Sequence, residues 1–265
     1  MSSCACGHHH HAPTDTSGET VQLGTPLFGL HGRLICSDMG QMMAALDLLP
    51  DHVALTRAEP GCLRFDITQS EDPMIWALDE LFADEDAFQR HQQRTQASAW
   101  GAGSRDMGRD FHRHSVQPQI RPEGPTDRDA IDRLLTRAFD GPAEAQLVRD
   151  LRADGDLAVS LVAHAQGTII GHVALSPLQA DRPAYALAPL AVDPGVQGRG
   201  LGRALIAAAL KAAGDHAVVV LGSRTLYAAA GFAEASLDSP WPGLQIHGHL
   251  PQGSAVRHAR AFQQL

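Results

Sequence analysis

The sequence predicts a two-domain protein in which helices and strands mix in both halves, with an α+β first domain and an α/β second domain. Three observations support this fold class. Strand and helix patterns alternate regularly over residues 26–116. Three prolines and a glycine interrupt any periodic pattern at 112–127. Beyond this break, a glycine-rich turn and a helix pattern lie between two apolar strand patterns, as in a βαβ unit.

Length and composition agree with a globular protein that acts on small molecules. The chain has 265 residues, of which 44% are hydrophobic and 19% charged. Its formal net charge is −9 and Lys211 is its one lysine, so we expect neither nucleic acid nor an anionic membrane surface as a partner. No apolar stretch is long enough to span a bilayer and no signal-peptide pattern is present, so we expect a cytoplasmic protein.

Residues 1–25 are polar and predict a disordered tail rich in His and Cys. Cys4, Cys6 and His8–His11 are donors that suit zinc, nickel or copper. The two cysteines are too close for the usual C-x₂₋₄-C arrangement of structural zinc, and a plain disordered tract explains the segment as well. We therefore assign no metal site and keep metal buffering by this tail as the non-enzymatic alternative.

The first domain, predicted at 26–117, reads element by element as β-α-β-β-α-β. Alternating side chains predict strands at 27–35, 62–68, 74–82 and 107–116, and helix patterns occupy 42–58 and 84–100. This order is the ferredoxin-like arrangement.

The second domain, predicted at 118–265, opens with helix patterns at 127–139 and 142–153, and strands follow at 157–165 and 168–176. Strand patterns at 185–192 and 217–222 then flank a helix pattern at 201–213. The second of these, "AVVVLG", is an unbroken apolar run of the kind found in parallel strands covered on both faces.

The turn "QGRGLG" at 197–202 predicts an anion-binding site. A helix begins with N–H groups that have no partner and with the positive end of its dipole, and glycines let an anion approach them. The dinucleotide pattern fails because its third glycine would fall at Arg203, and a P-loop fails because no Gly-Lys-Ser/Thr follows. A tight, closely packed turn without a ligand is the structural alternative.

This turn resembles the Gln/Arg-x-x-Gly-x-Gly/Ala signature of the GCN5-related N-acetyltransferase (GNAT) family. Pro189 inside "YALAPLAV" indicates the bulge of the family's splayed strand, and "LYAAAGF" is similar to its tyrosine motif. The segments "HVALSP", "LAPLAV", "VVVLG" and "PGLQIHG" resemble the YhbS-like branch of the family.

The GNAT resemblance implies a mixed-sheet acyl-CoA acyltransferase fold with acetyl-CoA as co-substrate and a small-molecule or peptide amine as acceptor. It implies that Tyr227 is the general acid for the departing thiolate, and that N–H groups near Leu190–Val192 polarise the thioester carbonyl. The implied acetyl-CoA-binding residues are Leu190, Ala191, Val192, Gln197, Gly198, Arg199, Gly200, Leu201, Gly202 and Arg203. The sequence does not identify the base; His172, His164 and Asp193 are candidates, and each also has a structural explanation.

The first domain resembles the antibiotic biosynthesis monooxygenase (ABM) family. The resemblance depends on Glu59-Pro60-Gly61, the Asp72-Pro73 turn, Glu80 and the "AFQRH" segment ending at His91. It implies a homodimer that forms an α/β barrel. It also implies a candidate catalytic His91 in a pocket that Glu80, Arg33 and Arg64 help to line; surface pairing or dimer contacts are the alternative roles.

Departures from the ABM pattern argue against haem chemistry. Phe82 stands where many members have a tryptophan, Gln96 stands where many have a second histidine, and the first strand has no asparagine. The sequence as a whole predicts an acetyl-CoA-dependent N-acetyltransferase fused to a monooxygenase-like dimerising domain. A cofactor-independent monooxygenase acting on a quinol or polyphenol, or a first domain that only dimerises, are the alternatives.

Overall fold

The computed structural model describes residues 18–264, so Cys4, Cys6 and His8–His11 lie outside the described residues. Two sheets organise the fold, one with four strands and one with eight. The chain passes from the first sheet to the second at residues 117–118, between two strands. We call residues 27–116 the N-terminal domain and residues 119–264, together with the edge strand at 19–20, the C-terminal domain; the predicted boundaries themselves stay a prediction.

The N-terminal domain has the ferredoxin-like fold that the sequence predicts. Its sheet has the order β3-β4-β2-β5, and every neighbouring pair is antiparallel. Its elements are β2 (Leu27–Ile35), α1 (Met39–Arg57), β3 (Cys62–Gln69), β4 (Ile75–Phe82), α2 (Glu85–Gln96), α3 (Ala99–Gly103) and β5 (Gly108–Val116). The predicted helix at 84–100 is two helices, because Ser98 caps the start of α3 by accepting a hydrogen bond from Gly101 N.

The C-terminal domain is a mixed sheet of order β1-β6-β7-β8-β9-β10-β12-β11, in which β9 and β10 are the parallel pair. Its strands are β1 (Glu19–Thr20), β6 (Gln119–Pro122), β7 (Val159–Ala165), β8 (Thr168–Leu178), β9 (Ala184–Val192), β10 (Ala217–Val220), β11 (Ala233–Glu234) and β12 (Gln245–His247). Its helices are α4 (Arg128–Ala138), α5 (Ala143–Asp154), α6 (Leu201–Ala213) and α7 (Arg224–Ala228). Helix α6 packs on one face of the sheet, and α4 and α5 on the other.

The segment before β2 is more ordered than the sequence predicts. Glu19 and Thr20, which fall in the predicted tail, pair with Ile120 and Gln119 at the edge of the eight-stranded sheet. Leu23, three residues after this strand, is buried in the hydrophobic core beside the eight-stranded sheet. A short polar strand on a sheet edge leaves almost no apolar pattern, which is why composition alone favours disorder here.

The two domains share one hydrophobic core. Leu27, Leu81 and Val116 of the first sheet are buried in the same cluster as Val196 and Leu201 of the C-terminal domain. This contact brings the end of the N-terminal sheet against the turn before α6, where the sequence predicts the anion site.

Candidate acetyl-CoA site and N-terminal cavity

Strand β9 carries a bulge at Pro189, as the sequence predicts. Leu187 of β9 pairs with Leu175 of β8, and Leu190 pairs with Val173. Between these two pairs β9 therefore covers three residues while β8 covers two. The extra residue shifts the alternation, so that Leu187, Leu190 and Val192 all contact the core on the α6 face. The missing N–H of Pro189 lies where the ladder is already interrupted.

The parallel pairing of β9 with β10 ends before the bulge. Pairing between β9 and β10 covers only Ala184–Ala186 on β9, although that strand continues to Val192. The second half of β9 therefore borders an opening between the two strands. This opening leads to the start of α6.

The glycine turn, residues 197–202, holds the start of α6 open. Gly198 and Gly200 have φ values of +75° and +93°, which residues with a side chain rarely adopt. Gly200 is the N-cap of α6, and no side chain caps the helix. The first intrahelical bond runs from Ala204 N to Gly200 O at 3.1 Å, so the preceding amides have no partner within the helix.

The side of the glycine turn towards solvent is empty. A Cβ added to Gly198 would meet no heavy atom within 4 Å, and one added to Gly202 would first meet Val192 at 3.7 Å. Gln197, which precedes the first of these glycines, donates to Val192 O at 3.0 Å. The turn is therefore not closely packed on this side, and ligand binding there stays a prediction.

A groove of about 530 Å³ joins these features. Its walls come from the end of β9, the glycine turn, the first turn of α6, and the segment around α7. Eight of the ten residues that the sequence predicts for acetyl-CoA binding line it: Leu190, Val192, Gln197, Gly198, Gly200, Leu201, Gly202 and Arg203. From the α7 segment come Ser223, Thr225, Leu226 and Ala229, which sequence reasoning missed.

The side chains of Ala191 and Arg199 do not line the groove, so the prediction for these two residues concerns their backbone groups alone and stays a prediction. Ala191 lies on the opposite face of β9, buried in the core beneath α4, because strand residues alternate between faces. Arg199 turns away from the groove to the N-terminal domain, where its Nη1 donates to the carbonyl of Ala83 at 2.6 Å. Its Nη2 pairs with the carboxylate of Asp84.

Tyr227 lies on α7, next to the groove but not among its lining residues. Its side chain is 6% exposed and packs edge to face on Phe232, with ring centroids 5.4 Å apart. The ring also covers Gly222, where an added Cβ would lie 2.8 Å from it. Burial raises the pKa of Tyr227 to about 12, so the phenol keeps its proton at neutral pH.

The three candidate bases occupy structural positions. His172 is fully buried and its Nε2 lies 2.9 Å from Ser160 Oγ; burial, followed by the nearby Arg152, lowers its pKa to about 3. His164 is buried on the neighbouring strand. Asp193 accepts a hydrogen bond from Gly195 N and pairs with Arg137 at 2.6 Å, which makes it a turn residue.

A second cavity, of about 430 Å³, lies inside the N-terminal domain between its sheet and its helices. Aromatic and aliphatic side chains such as Phe65, Trp100 and Phe111 line it together with Glu80 and His91. Burial, and then the charges of Glu59 and Asp79, raise the pKa of Glu80 to about 8. Its Oε2 is buried without a hydrogen-bond partner.

His91 is oriented by a carboxylate. Its Nδ1 lies 2.8 Å from Glu59 Oε2, and Arg94 holds the other oxygen of Glu59 at 2.6 Å. Burial lowers the pKa of His91 despite this pairing. His52, which sequence reasoning missed, stacks on Trp100 in the same cavity; burial, and then Arg94, lower its pKa to about 3.

Of the four polar residues that the sequence predicts for this pocket, only His91 and Glu80 line it. Arg33 lies on the opposite face of the sheet and pairs with Asp110 at 2.8 Å. Arg64 also points away from the cavity and donates to Gln166 O and Thr168 Oγ1 of the C-terminal domain. Both belong to the strand positions that face away from α1 and α2.

Two classes of site are not found in the part of the chain that the structure describes. Residues 18–264 contain no helix that is long and apolar enough to cross a membrane. The same residues bring no three His, Cys, Asp or Glu side chains together in a way that would hold a metal ion.

Comparison with known proteins gives a consistent result for each half. The Acetyltransferase (GNAT) family model matches residues 128–234, and the Antibiotic biosynthesis monooxygenase model matches residues 38–103. The chain is 43% identical over 142 residues to the N-acetyltransferase YhbS of Escherichia coli K12, itself uncharacterized, covering 48% of this chain and 85% of that protein. It is 36% identical over 127 residues to the uncharacterized N-acetyltransferase YjhQ of the same organism, covering 44% of this chain and 70% of YjhQ.

A solved structure shows the same relationship. The crystal structure of YhbS from Escherichia coli in complex with CoA matches 57% of this chain and 94% of its own, with a TM-score of 0.53 and 37% sequence identity. The splayed strand and the glycine turn described above lie within residues 128–234, which the GNAT family model matches. The chain therefore belongs to the GNAT family of N-acetyltransferases, and carries an antibiotic biosynthesis monooxygenase domain in its N-terminal half.

Proposed function

We propose that this protein transfers the acetyl group of acetyl-CoA to the amine of a small molecule, and that it binds the diphosphate of acetyl-CoA at the start of α6. One observation carries the proposal. The uncapped amides at Gly200–Gly202 open into a groove of about 530 Å³ that continues to the separation of β9 and β10.

The electrostatics of the groove favour a diphosphate. The positive end of the α6 dipole and the exposed side chain of Arg203 lie at its mouth, in a protein whose formal net charge is −9. A site that binds anions in an acidic protein needs such a local concentration of positive charge. Backbone amides add hydrogen bonds that a surface cation alone does not supply.

The gap beyond the bulge suits the thioester arm. With the diphosphate at α6, the arm would run along Leu190 and Val192 into the opening between the strands. N–H groups of β9 that no longer pair with β10 would then polarise the thioester carbonyl. A neutral amine attacks the carbonyl carbon, the C–N bond forms, the C–S bond breaks, and the thiolate of CoA leaves.

Tyr227 is the candidate acid in this scheme. Its phenol is protonated at neutral pH because burial raises its pKa to about 12. In the proposed scheme it would donate a hydrogen bond to the thiolate from its place next to the groove. The proton of the amine leaves through water, since His172 is fully buried and Asp193 pairs with Arg137.

Binding can be tested without knowing the acceptor. Gly202→Glu places a carboxylate at the groove on a residue with ordinary helical backbone, and Ala207→Glu adds the same charge further along α6 as a control. We expect a saturating excess of acetyl-CoA to raise the thermal midpoint of the wild type and of Ala207→Glu, but not of Gly202→Glu. Equal protection of Gly202→Glu would place the cofactor elsewhere.

A homodimer through the N-terminal domain stays part of the proposal, with one constraint. Leu27, Leu81 and Val116, at one end of the sheet face opposite α1 and α2, are covered by the C-terminal domain. A dimer on this face would therefore use its charged remainder, which includes Arg33 and Asp110. Light scattering of Arg33→Glu tests this: a wild-type dimer that becomes monomeric supports the interface, and a monomeric wild type contradicts it.

A second candidate function is a cofactor-independent monooxygenase in the N-terminal domain. The cavity of about 430 Å³, with its aromatic walls and the oriented His91, supports it. Its substrate would be a quinol or polyphenol that reduces oxygen itself. We expect oxygen consumption with such compounds to disappear in His91→Ala; consumption that is absent from the wild type would contradict this second function.

A further inference from the structure

Asp84 links the two domains through a single carboxylate. It is the N-cap of α2, and its Oδ1 accepts a hydrogen bond from Ala87 N at 2.8 Å. Its Oδ2 accepts one from Nη2 of Arg199, inside the glycine turn. The neighbouring carbonyl of Ala83 accepts a second bond from the same guanidinium, at 2.6 Å. One side chain of the N-terminal domain therefore holds both a helix start and the outer side of the turn.

The pair is shielded from water. The side chains of Arg199 and Asp84 are only 23% and 20% exposed. The pair therefore differs from ion pairs in full contact with solvent, which contribute little to stability. Burial alone would raise the pKa of Asp84, but the Ala87 amide and the Arg199 guanidinium outweigh it and hold the pKa below 3.8. Asp84 is therefore ionised throughout the neutral range.

A second contact supports the same segment. Gly195, just before the glycine turn, lies so close to the N-terminal domain that an added Cβ would be 3.2 Å from Leu63 Cδ2 and 3.6 Å from Gly61 Cα. Leu63 itself packs against the shared core. The N-terminal domain thus forms the wall behind the turn, on the side away from the groove.

A turn with glycines at positions 198 and 200 has many accessible conformations when nothing holds it. Fixing it before the ligand arrives lowers the entropy cost of binding. We infer that Asp84 is a positioning residue for the acetyl-CoA site, which holds Arg199 on the outer side of the glycine turn and so keeps the amides of the turn directed into the groove. This inference rests on the proposed function, and it assigns Arg199 to the turn's support and not to the phosphates.

The test uses the full chain and CoA itself, with calorimetry for the dissociation constant and a thermal scan of the free protein. Asp84→Asn removes the charge but keeps the cap, because Asn and Asp cap helices equally well. We expect the dissociation constant to rise about tenfold in both Asp84→Asn and Arg199→Ala, and no further in the double variant. Asp86→Asn, an exposed acid in the same turn of α2, should bind like the wild type.

The thermal midpoint of free Asp84→Asn should fall, because the variant loses the charged hydrogen bond to Arg199. A merely structural role would lower the midpoint in the same way but leave the CoA affinity of the folded protein, measured well below that midpoint, at the wild-type value. An Asp84→Asn variant that binds CoA as tightly as the wild type would overturn the inference. So would tighter binding by Asp84→Asn together with weaker binding by Arg199→Ala, because Arg199 would then be a phosphate ligand that Asp84 withholds. A wild-type chain that does not bind CoA would instead refute the proposed function.

Discussion

Replacing Glu80 by Gln should make the N-terminal domain more stable at alkaline pH. Glu80 is 3% exposed, and burial together with Glu59 and Asp79 raises its pKa from 4.5 to about 8. The unfolded chain releases this proton near pH 4.5 and the folded chain only near pH 8. Between these values the folded state binds more protons, so its stability falls as the pH rises.

The size of the effect follows from the shift. With those two pKa values, retaining Glu80 costs the folded state about 1 kcal/mol at pH 5 and about 4 kcal/mol at pH 8. Gln has nearly the same shape and no charge, so Glu80→Gln removes this dependence. The variant should therefore gain about 3 kcal/mol over the wild type between pH 5 and pH 8.

Urea unfolding at pH 5, 6, 7 and 8, followed by tryptophan fluorescence, measures the difference between the two chains. Trp76 and Trp100 report on the N-terminal domain, and both lie in the core cluster beside the cavity. Glu71→Gln, which removes an exposed carboxylate from the β3–β4 turn, is the matched control and should follow the wild type. Parallel pH profiles for Glu80→Gln and the wild type would refute the reasoning.

Two further predictions concern the C-terminal domain. Tyr227→Phe should lower the rate of acetyl transfer about a hundredfold while leaving the affinity for CoA unchanged, as measured by thiol release and calorimetry; an unchanged rate would remove Tyr227 from the mechanism. Leu205→Ala should lower the free energy of unfolding by about 2–5 kcal/mol in urea, because Leu205 is 0% exposed in the shared core; a loss well under 1 kcal/mol would show that the core closes around the gap.

The features of the site that the sequence predicts are local ones. A proline inside an apolar strand can only lie where the ladder is interrupted, and Pro189 does so. Gly198 and Gly200 lie at positive φ just before the helix start, a conformation that glycine adopts without a steric penalty. Both constraints act over a few residues, so the motif alone is enough to place them.

The direction of individual side chains depended on contacts that the motif does not contain. Arg199 points to the N-terminal domain because Asp84, 115 residues earlier in the chain, accepts its hydrogen bond. Arg64 faces away from the N-terminal cavity because of its position on β3, and its acceptors, Gln166 O and Thr168 Oγ1, belong to the other domain. No periodicity within either domain reports on a partner in the other.

The site residues that sequence reasoning missed were missed for a different reason. His52 lines the cavity from the middle of α1, and Ser223 lines the groove from just before α7. Neither stands in a motif, and each reaches its site only through the packing of its element. The cap pattern of Ser223, which accepts from Leu226 N, would have placed the start of α7 but not the groove beside it.

The amides at the start of α6 are the centre of this account, and nuclear magnetic resonance observes them individually. Titration of the ¹⁵N-labelled full chain with CoA should shift the amide resonances of Leu201, Gly202 and Arg203 strongly, as expected for N–H groups that acquire phosphate acceptors. Pantetheine, which has no diphosphate, should leave these three resonances unchanged. If CoA binds while the three amides keep their positions, the diphosphate lies elsewhere and the proposed site is wrong.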